Sequence, residues 1–260
     1  MTRTAYGRPV ADTVTVAEIA AMIDHALLKP EMTPDEVLQG CSEAAKLGVW
    51  SVCVKPADVG LAVKAVAGTS TKVCAVVSFP HGNSASHVKI VETQQAVADG
   101  AREIDLVLNI ARLRAGESDY VGDEIRGVVE AAQAANCLVK VILENAYLTD
   151  DQIALGSQLA EQAGADFVKT STGFAASGAT VAAMRVMAES ASPAVRLKAS
   201  GGIRSLDRAL EFVALGVTRL GVSASEEILA EAAVRVAEHG VIEVPDEVAT
   251  NPSNPDPDGY

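Results

Sequence analysis

Residues 165–173 read Ala-Asp-Phe-Val-Lys-Thr-Ser-Thr-Gly, and residues 195–202 read Val-Arg-Leu-Lys-Ala-Ser-Gly-Gly. Each segment is a short apolar run that ends on a lysine and continues into a turn rich in small residues. The two lysines, Lys169 and Lys198, are 29 residues apart, which is the length of one strand-helix-strand unit. The spacing therefore predicts two parallel strands that lie side by side.

The same unit recurs along the chain. Four glycines each follow a helix-like segment and precede an apolar run: Gly48, Gly100, Gly164 and Gly216. Further strand-like runs lie at 23–25, 72–79, 138–144 and 195–198, which brings the total to eight. Eight strand-helix units predict an α/β protein whose strands close into a single-domain (β/α)8 TIM barrel. A doubly wound sheet is the alternative, but it usually has fewer strands and a glycine-rich first turn that this sequence lacks.

The ends of the barrel follow from the same pattern. Residues 1–22 are expected to form an N-terminal segment with a capping helix, and residues 23–242 the catalytic barrel. Helix starts are marked by the capping box Thr33-Pro34-Asp35-Glu36 and by similar residues at 148–152. From about Pro245 the composition changes to Pro, Asn, Asp and Ser, so residues 243–260 are expected to form a flexible acidic tail.

The composition excludes several classes of function. With 260 residues, 49% apolar and 3% aromatic, the chain can bury one large aliphatic core. Its formal charge of −13 argues against a nucleic-acid partner, which needs clustered Lys and Arg. Apolar runs are strand-sized and fall short of the ~20 residues of a membrane span, so no membrane partner is expected. Dispersed cysteines (Cys41, Cys53, Cys74 and Cys137) and the lack of a secretory leader predict a cytoplasmic protein with reduced thiols.

Polar side chains are concentrated at the predicted strand ends, where a barrel builds its active site. In strand order they are Asp24, Cys53 and Lys55, Asp105 and Asn109, Lys140 and Glu144, Lys169, and Lys198. Charges on apolar strands are unfavourable without partners, so several of them must face one another inside the barrel.

Lys169 and Lys198 carry the strongest chemical signal. If their strands are neighbours, ~4.8 Å apart, each ammonium group disfavours the charge of the other, and one can be a neutral amine near pH 7. A neutral lysine beside a cation is what carbonyl chemistry through a Schiff base requires. An isolated lysine at a strand end would more often be a snorkelling side chain. Asp105 could transfer protons through water or simply balance Lys140 or Lys198, and both roles can hold together.

Three turns after the last strands carry phosphate-binding signals. They are Ser171-Thr172-Gly173, Ser200-Gly201-Gly202 and the segment from Gly221 to Ser225, which opens a helix. Glycines let backbone amides approach an anion, and a helix N-terminus adds a favourable dipole. Each turn alone is a weak signal, but together, in the usual phosphate site of such barrels, they favour a phosphorylated substrate.

These motifs resemble the deoxyribose-phosphate aldolase family. The resemblance extends from about Ile23 to Ser225 and rests on four segments: 51–56, 103–107, 167–173 and 197–204. It implies a class I aldolase, a lyase with a TIM barrel fold and neither metal nor other cofactor. The implied reaction is reversible cleavage of 2-deoxy-D-ribose 5-phosphate to acetaldehyde and D-glyceraldehyde 3-phosphate, in the catabolism of deoxyribose phosphate.

The resemblance also assigns roles to individual residues. It implies that Lys169 is the Schiff-base nucleophile, that Lys198 perturbs its pKa, and that Asp105 transfers protons. The other matching positions are Asp24 and Cys53 in the pocket, Gly173, Gly201, Gly202 and Ser223 around the substrate phosphate, and Tyr260, which ends some members and is thought to help proton transfer.

Two positions depart from the family pattern. Phe174 stands where some relatives have Lys, and Ala224 where others have a second Ser, so phosphate binding must depend more on backbone amides. Two alternatives remain open: another lysine aldolase of related sugar phosphates, or a non-catalytic sugar-phosphate-binding barrel. Only the second predicts phosphate binding without a covalent adduct. Apolar helix faces would also allow a homodimer.

Overall fold

The eight predicted strands form one closed parallel barrel in the computed structural model, which describes residues 2–246 and residue 248. The strands are β1 (Ile23–Leu27), β2 (Ser51–Val54), β3 (Lys72–Val77), β4 (Glu103–Val107), β5 (Leu138–Ile142), β6 (Phe167–Lys169), β7 (Arg196–Ser200) and β8 (Val217–Val222). The barrel closes where β8 pairs with β1, with Leu220 opposite Ile23. The prediction of a (β/α)8 TIM barrel is confirmed.

Helices lie between the strands. They are α1 (Val16–Ala20), α2 (Pro34–Leu47), α3 (Val59–Ala65), α4 (Ser86–Ala98), α5 (Ile110–Arg114), α6 (Ser118–Gln133), α7 (Asp150–Gln162), α8 (Val181–Ser190), α9 (Leu206–Ala214) and α10 (Ser225–His239). The predicted capping boxes are present at Thr33 and Thr149, where each side chain accepts from a backbone N–H of the first turn. No helix in the described ranges combines the length and apolar character needed to cross a membrane.

The strand register decides which side chains meet. In β6 and β7, Lys169 lies directly opposite Lys198, as the 29-residue spacing predicts. In β4 and β5, Asp105 lies opposite Lys140. Since alternate residues of a strand point to the same side, these polar residues come together inside the barrel.

Segments outside the barrel strands cover its amino-terminal end. Two short antiparallel pairs form there, one between Thr2–Arg3 and Pro9–Val10 and the other between Thr13–Val14 and Ile242–Glu243. The buried Arg8 guanidinium donates to carbonyl oxygens at 191, 192 and 195, in the loop that precedes β7. Glu243, the first residue of the predicted tail, therefore belongs to a strand, while most of that tail and Tyr260 lie outside the described residues.

Candidate active site

Seven buried charged side chains meet inside the barrel, and we call them the charge cluster. They are Asp24, Glu103, Asp105, Lys140, Lys169, Lys198 and Arg219. Three acids thus face four bases. Charges taken out of water are tolerated only when they are paired and hydrogen-bonded, and the cluster meets this requirement through short contacts.

Asp105 lies at the centre of the cluster. Its Oδ2 accepts from the Nζ of Lys169 at 2.7 Å and of Lys198 at 2.8 Å, and its Oδ1 accepts from Lys140 at 2.8 Å. Burial alone would raise the pKa of this carboxyl, but the three ammonium groups outweigh burial and hold it well below its usual value. Asp105 is therefore a carboxylate within hydrogen-bonding distance of Lys169 and Lys198. The structure pairs it with Lys140 as well as with Lys198, the two partners that the sequence allowed.

Lys198 is held as a cation. Its ammonium group donates to Asp24 Oδ2 at 2.5 Å as well as to Asp105. Burial would lower the pKa of Lys198, but the charges of Asp105 and Asp24 outweigh that effect and raise it. Asp24, predicted as a pocket residue, thus reaches the site by fixing Lys198.

Glu103 and Arg219 complete the cluster, and the sequence analysis assigned a role to neither. Arg219 donates to Asp24 Oδ1 and Glu103 Oε2, both at 2.7 Å, and Lys140 lies 2.6 Å from the same Glu103 oxygen. The sequence does contain a signal for Glu103: it lies two residues before Asp105 in one apolar strand, and residues two apart in a strand point to the same side.

Lys169 is the least constrained base of the cluster. Its ammonium group meets a single carboxylate, that of Asp105, among the described residues. Its side chain is 3% exposed, against 1% for Lys198 and 0% for Lys140. Lys169 is therefore the base of this trio that is best placed to meet a molecule in the barrel mouth.

Two thiols border the central carboxylate. The sulfur atoms of Cys53 and Cys74 lie 3.7 Å apart and approach Asp105 to 3.9 and 3.2 Å. The hydrogen bond with Cys74 lowers the pKa of Cys53, while burial raises that of Cys74. These three residues could supply metal ligands, since their donor atoms lie within 4.8 Å of one another. The ammonium groups on Asp105 disfavour a cation there. Cys53, predicted as a pocket residue, is buried beside this carboxylate.

The loops after β6 and β7 touch through their backbones. A Cβ atom at Gly178 would stand 2.3 Å from the carbonyl carbon of Gly201, and one at Gly201 would stand 3.5 Å from the Cα of Gly173. Gly202 follows with a positive φ of 73°. Of the predicted phosphate residues, the structure thus brings Gly173 and Gly201 together, while Ser223 is exposed after β8, before α10.

Glu144 supports the loop after β6. Its carboxylate accepts from the backbone N–H of Thr172, at 3.2 Å to the nearer oxygen, and from the hydroxyl of that residue. Burial raises the pKa of Glu144. Beside it lies a cavity of about 270 Å³, whose wall includes Phe174 in edge-to-face contact with Phe79. Glu144, one of the polar residues predicted at a strand end, therefore fixes the loop after β6 next to this cavity.

Comparison with known proteins agrees with this geometry. Residues 18–224 match the profile described as DeoC/LacD family aldolase. A deoxyribose-phosphate aldolase of Caldanaerobacter subterraneus is 45% identical over 218 residues, covering 84% of this chain and 94% of that protein. One from Streptococcus pneumoniae is 49% identical, covering 80% and 93%. The structure of deoxyribose phosphate aldolase from Aeropyrum pernix, 33% identical, superposes with a TM-score of 0.75 over 83% of this chain and 91% of that one. This chain therefore belongs to the DeoC/LacD family of aldolases.

Proposed function

We propose that this aldolase cleaves 2-deoxy-D-ribose 5-phosphate reversibly to acetaldehyde and D-glyceraldehyde 3-phosphate through a Schiff base on Lys169. Relatives that carry the name deoxyribose-phosphate aldolase match most of the chain, which supports the reaction and makes a small sugar phosphate the substrate. The enzyme class is that of the lyases.

The charge balance of the cluster is the observation that supports Lys169 as the nucleophile. With all seven groups ionised, one positive charge lacks a carboxylate; with Lys169 neutral, three carboxylates face three cations. Among the described residues, Lys140, Lys198 and Arg219 each contact at least two carboxylates, whereas Lys169 contacts one. Lys169 is therefore the base of the cluster that is paired with the fewest carboxylates, and a lysine attacks a carbonyl as its neutral amine.

The reaction follows from these positions. The amine of Lys169 adds to carbon one of the open-chain sugar, and loss of water gives an iminium ion. The bond between carbons two and three breaks, its electron pair moves toward the iminium nitrogen, and the hydroxyl proton on carbon three goes to a base through water. Asp105, assisted by Lys198, returns a proton to the resulting enamine, and hydrolysis frees acetaldehyde.

The glycine loops supply the phosphate site in this proposal. Gly173, Gly201 and Gly202 present backbone at the carboxyl end of the barrel, and Ser223 precedes α10. These residues lie beyond the ends of the lysine-bearing strands, so a phosphate bound there would be held away from the carbon that reacts with Lys169. Phe174 offers no cation to the phosphate, so we expect a weaker preference for phosphorylated substrates than a lysine there would give.

Mass spectrometry after incubation with acetaldehyde and borohydride tests the proposal, with 2-deoxyribose 5-phosphate in a parallel sample. We expect a reduced two-carbon adduct on Lys169 in both samples and on none of the other lysines. An adduct from acetaldehyde alone would indicate another lysine aldolase. No adduct would contradict the Schiff base and favour a sugar-phosphate-binding barrel.

Three further properties remain predictions. We propose that residues 23–242 form the catalytic domain, after an N-terminal segment and before an acidic tail that carries Tyr260. A cytoplasmic location is in keeping with the four free thiols.

A homodimer is a proposal supported by exposed Val88 and Val91 on α4, and the related Aeropyrum pernix enzyme is described as tetrameric. The mass of the native particle in solution decides the oligomeric state.

A further inference from the structure

Two buried hydroxyls lie just beyond the lysines of β6 and β7. Ser171 is 0% exposed and Ser200 is 4% exposed, and the hydroxyl oxygen of each finds no hydrogen-bond partner among the described residues. A buried hydroxyl that has left water without gaining a partner is unfavourable. Most buried side-chain polar groups in proteins do have a partner, so two exceptions at adjacent positions call for an explanation.

The backbone fixes these serines next to each other. Thr170 lies between the two chains: its N–H donates to the carbonyl of Lys198 at 3.1 Å, and its hydroxyl oxygen accepts from the N–H of Ser200 at 3.0 Å. Because Lys169 and Lys198 are register partners, the residues two positions further on, Ser171 and Ser200, stand at one common level. The pair is thus the next layer of side chains above the two lysines.

A glycine in β8 leaves room for the Ser200 hydroxyl. A Cβ atom at Gly221 would stand 2.1 Å from the Ser200 Oγ and 3.2 Å from the Cε of Lys198. The hydroxyl therefore lies beside the Lys198 side chain. Rotation about one Cα–Cβ bond changes its direction, since serine side chains occupy several staggered rotamers and the hydroxyl can both donate and accept.

The level of the pair matches the middle of the proposed substrate. Two residues of strand measure ~6.6 Å, so the serines stand about that far from the lysine backbone toward the loops. Gly201 follows Ser200 directly, and Gly173 is two residues after Ser171. When carbon one of the sugar is joined to Lys169 and its phosphate lies at those glycines, carbons three and four lie beside the two serines. Both of these carbons carry hydroxyl groups.

We propose that the Ser171 and Ser200 hydroxyls bind the hydroxyl group on carbon four of the sugar, which is the hydroxyl beside the aldehyde of the acceptor, and so make the enzyme selective for hydroxylated acceptor aldehydes. This inference rests on the proposed function. The serines select the substrate and take no part in imine formation, which belongs to Lys169. A site that hydrogen-bonds a substrate hydroxyl discriminates against the analogue that lacks it, because its own polar groups are then left unpaired.

Competition between two acceptors in the synthetic direction tests the proposal. Acetaldehyde is the donor, and the acceptors are D-glyceraldehyde 3-phosphate and 3-phosphooxypropanal, which has the same length but no hydroxyl beside the aldehyde. We expect Ser200→Ala and Ser171→Ala each to reduce the ratio of kcat/KM for the two acceptors by roughly 3- to 10-fold, the scale of one hydrogen bond. An unchanged ratio in both variants would overturn the proposal.

Ser157→Ala is the matched control. Ser157 is a buried serine on α7 whose hydroxyl donates to the carbonyl of Ile153 at 2.8 Å, so its loss affects packing but not the barrel mouth. This variant should keep the wild-type ratio, and an equal change there would also contradict the proposal. The borohydride adduct on Lys169 is measured in parallel. An adduct in the serine variants would show that they still form the imine, so that a changed ratio reflects selectivity alone. No adduct in the wild type would overturn the proposed function itself.

Discussion

Two fully or almost fully buried lysines, Lys89 and Lys169, use their ammonium groups differently. Lys89, on α4, donates to the carbonyl oxygens of Gly82 and Val107 at 2.8 and 2.9 Å and to Glu124 at 2.8 Å. Since an ammonium group has three hydrogens, all its donors are used. Lys169 has one such bond in the described part of the chain, to Asp105. Lys89 joins the loop after β3 to the last residue of β4 and to α6, whereas Lys169 retains donors for a substrate.

The comparison shows that a lowered pKa does not by itself identify a reactive lysine. Burial lowers the pKa of Lys89, although its charge is partly compensated by Glu124. Deprotonation would nevertheless leave one of its three acceptors unpaired in a dry environment. What distinguishes Lys169 is that it makes one hydrogen bond with the described residues and that 3% of its side chain is exposed.

Replacement of Lys169 should have the largest effect on activity. We expect Lys169→Ala to lower kcat/KM for 2-deoxyribose 5-phosphate by roughly 10⁴-fold or more, the scale of removing a covalent nucleophile. The fold should remain intact, as measured by circular dichroism and thermal unfolding. The matched control is Lys89→Met, in which the acetaldehyde adduct should still form on Lys169. Full activity of the Lys169 variant would refute the assignment.

Replacement of Lys89 should instead affect stability. Lys89→Met leaves Glu124 buried without its cation, and breaking such a pair costs about 3–5 kcal/mol. Urea unfolding monitored by fluorescence of the single Trp50 measures the loss. The double variant Lys89→Met/Glu124→Leu should recover much of it, because an apolar pair replaces the ion pair. A single variant as stable as the wild type would show that the pair does not hold the loops.

The protein shifts the pKa values of the two acid partners, Glu124 and Asp105, in opposite directions. Burial raises the pKa of Glu124, so its contribution to stability declines as pH rises through its folded-state pKa. The pKa of Asp105 is lowered by its lysines against the effect of burial, so its contribution is present above ~3.9 and is lost as pH falls through the folded-state value. Carbon-13 NMR of the carboxyl groups from pH 7 to pH 4 should show Glu124 protonating while Asp105 remains ionised; the reverse order would contradict this electrostatic picture.

Local patterns in the sequence were enough to predict the barrel and its central residues. The 29-residue spacing indicates that the strands of Lys169 and Lys198 are neighbours, and Asp105 is a candidate because a charge in an apolar strand needs a partner. The pairing of Arg219 with Glu103 was not predictable, since it joins residues 116 positions apart across the barrel. Lys89 gave no signal either, because its partners come from a loop, the end of a strand and another helix, and a lysine on a helix usually faces solvent.

The short strand pair that joins Thr13–Val14 to Ile242–Glu243 has a consequence for biosynthesis. Thr13–Val14 and one edge of β1 find their partners only in segments that are synthesised much later, since β1 pairs with β8 on that side. Such long-range pairing delays closure of the barrel until both partner strands are available. A nascent chain therefore exposes one edge of β1 until β8 has been synthesised, and an unpaired strand edge can pair with another chain.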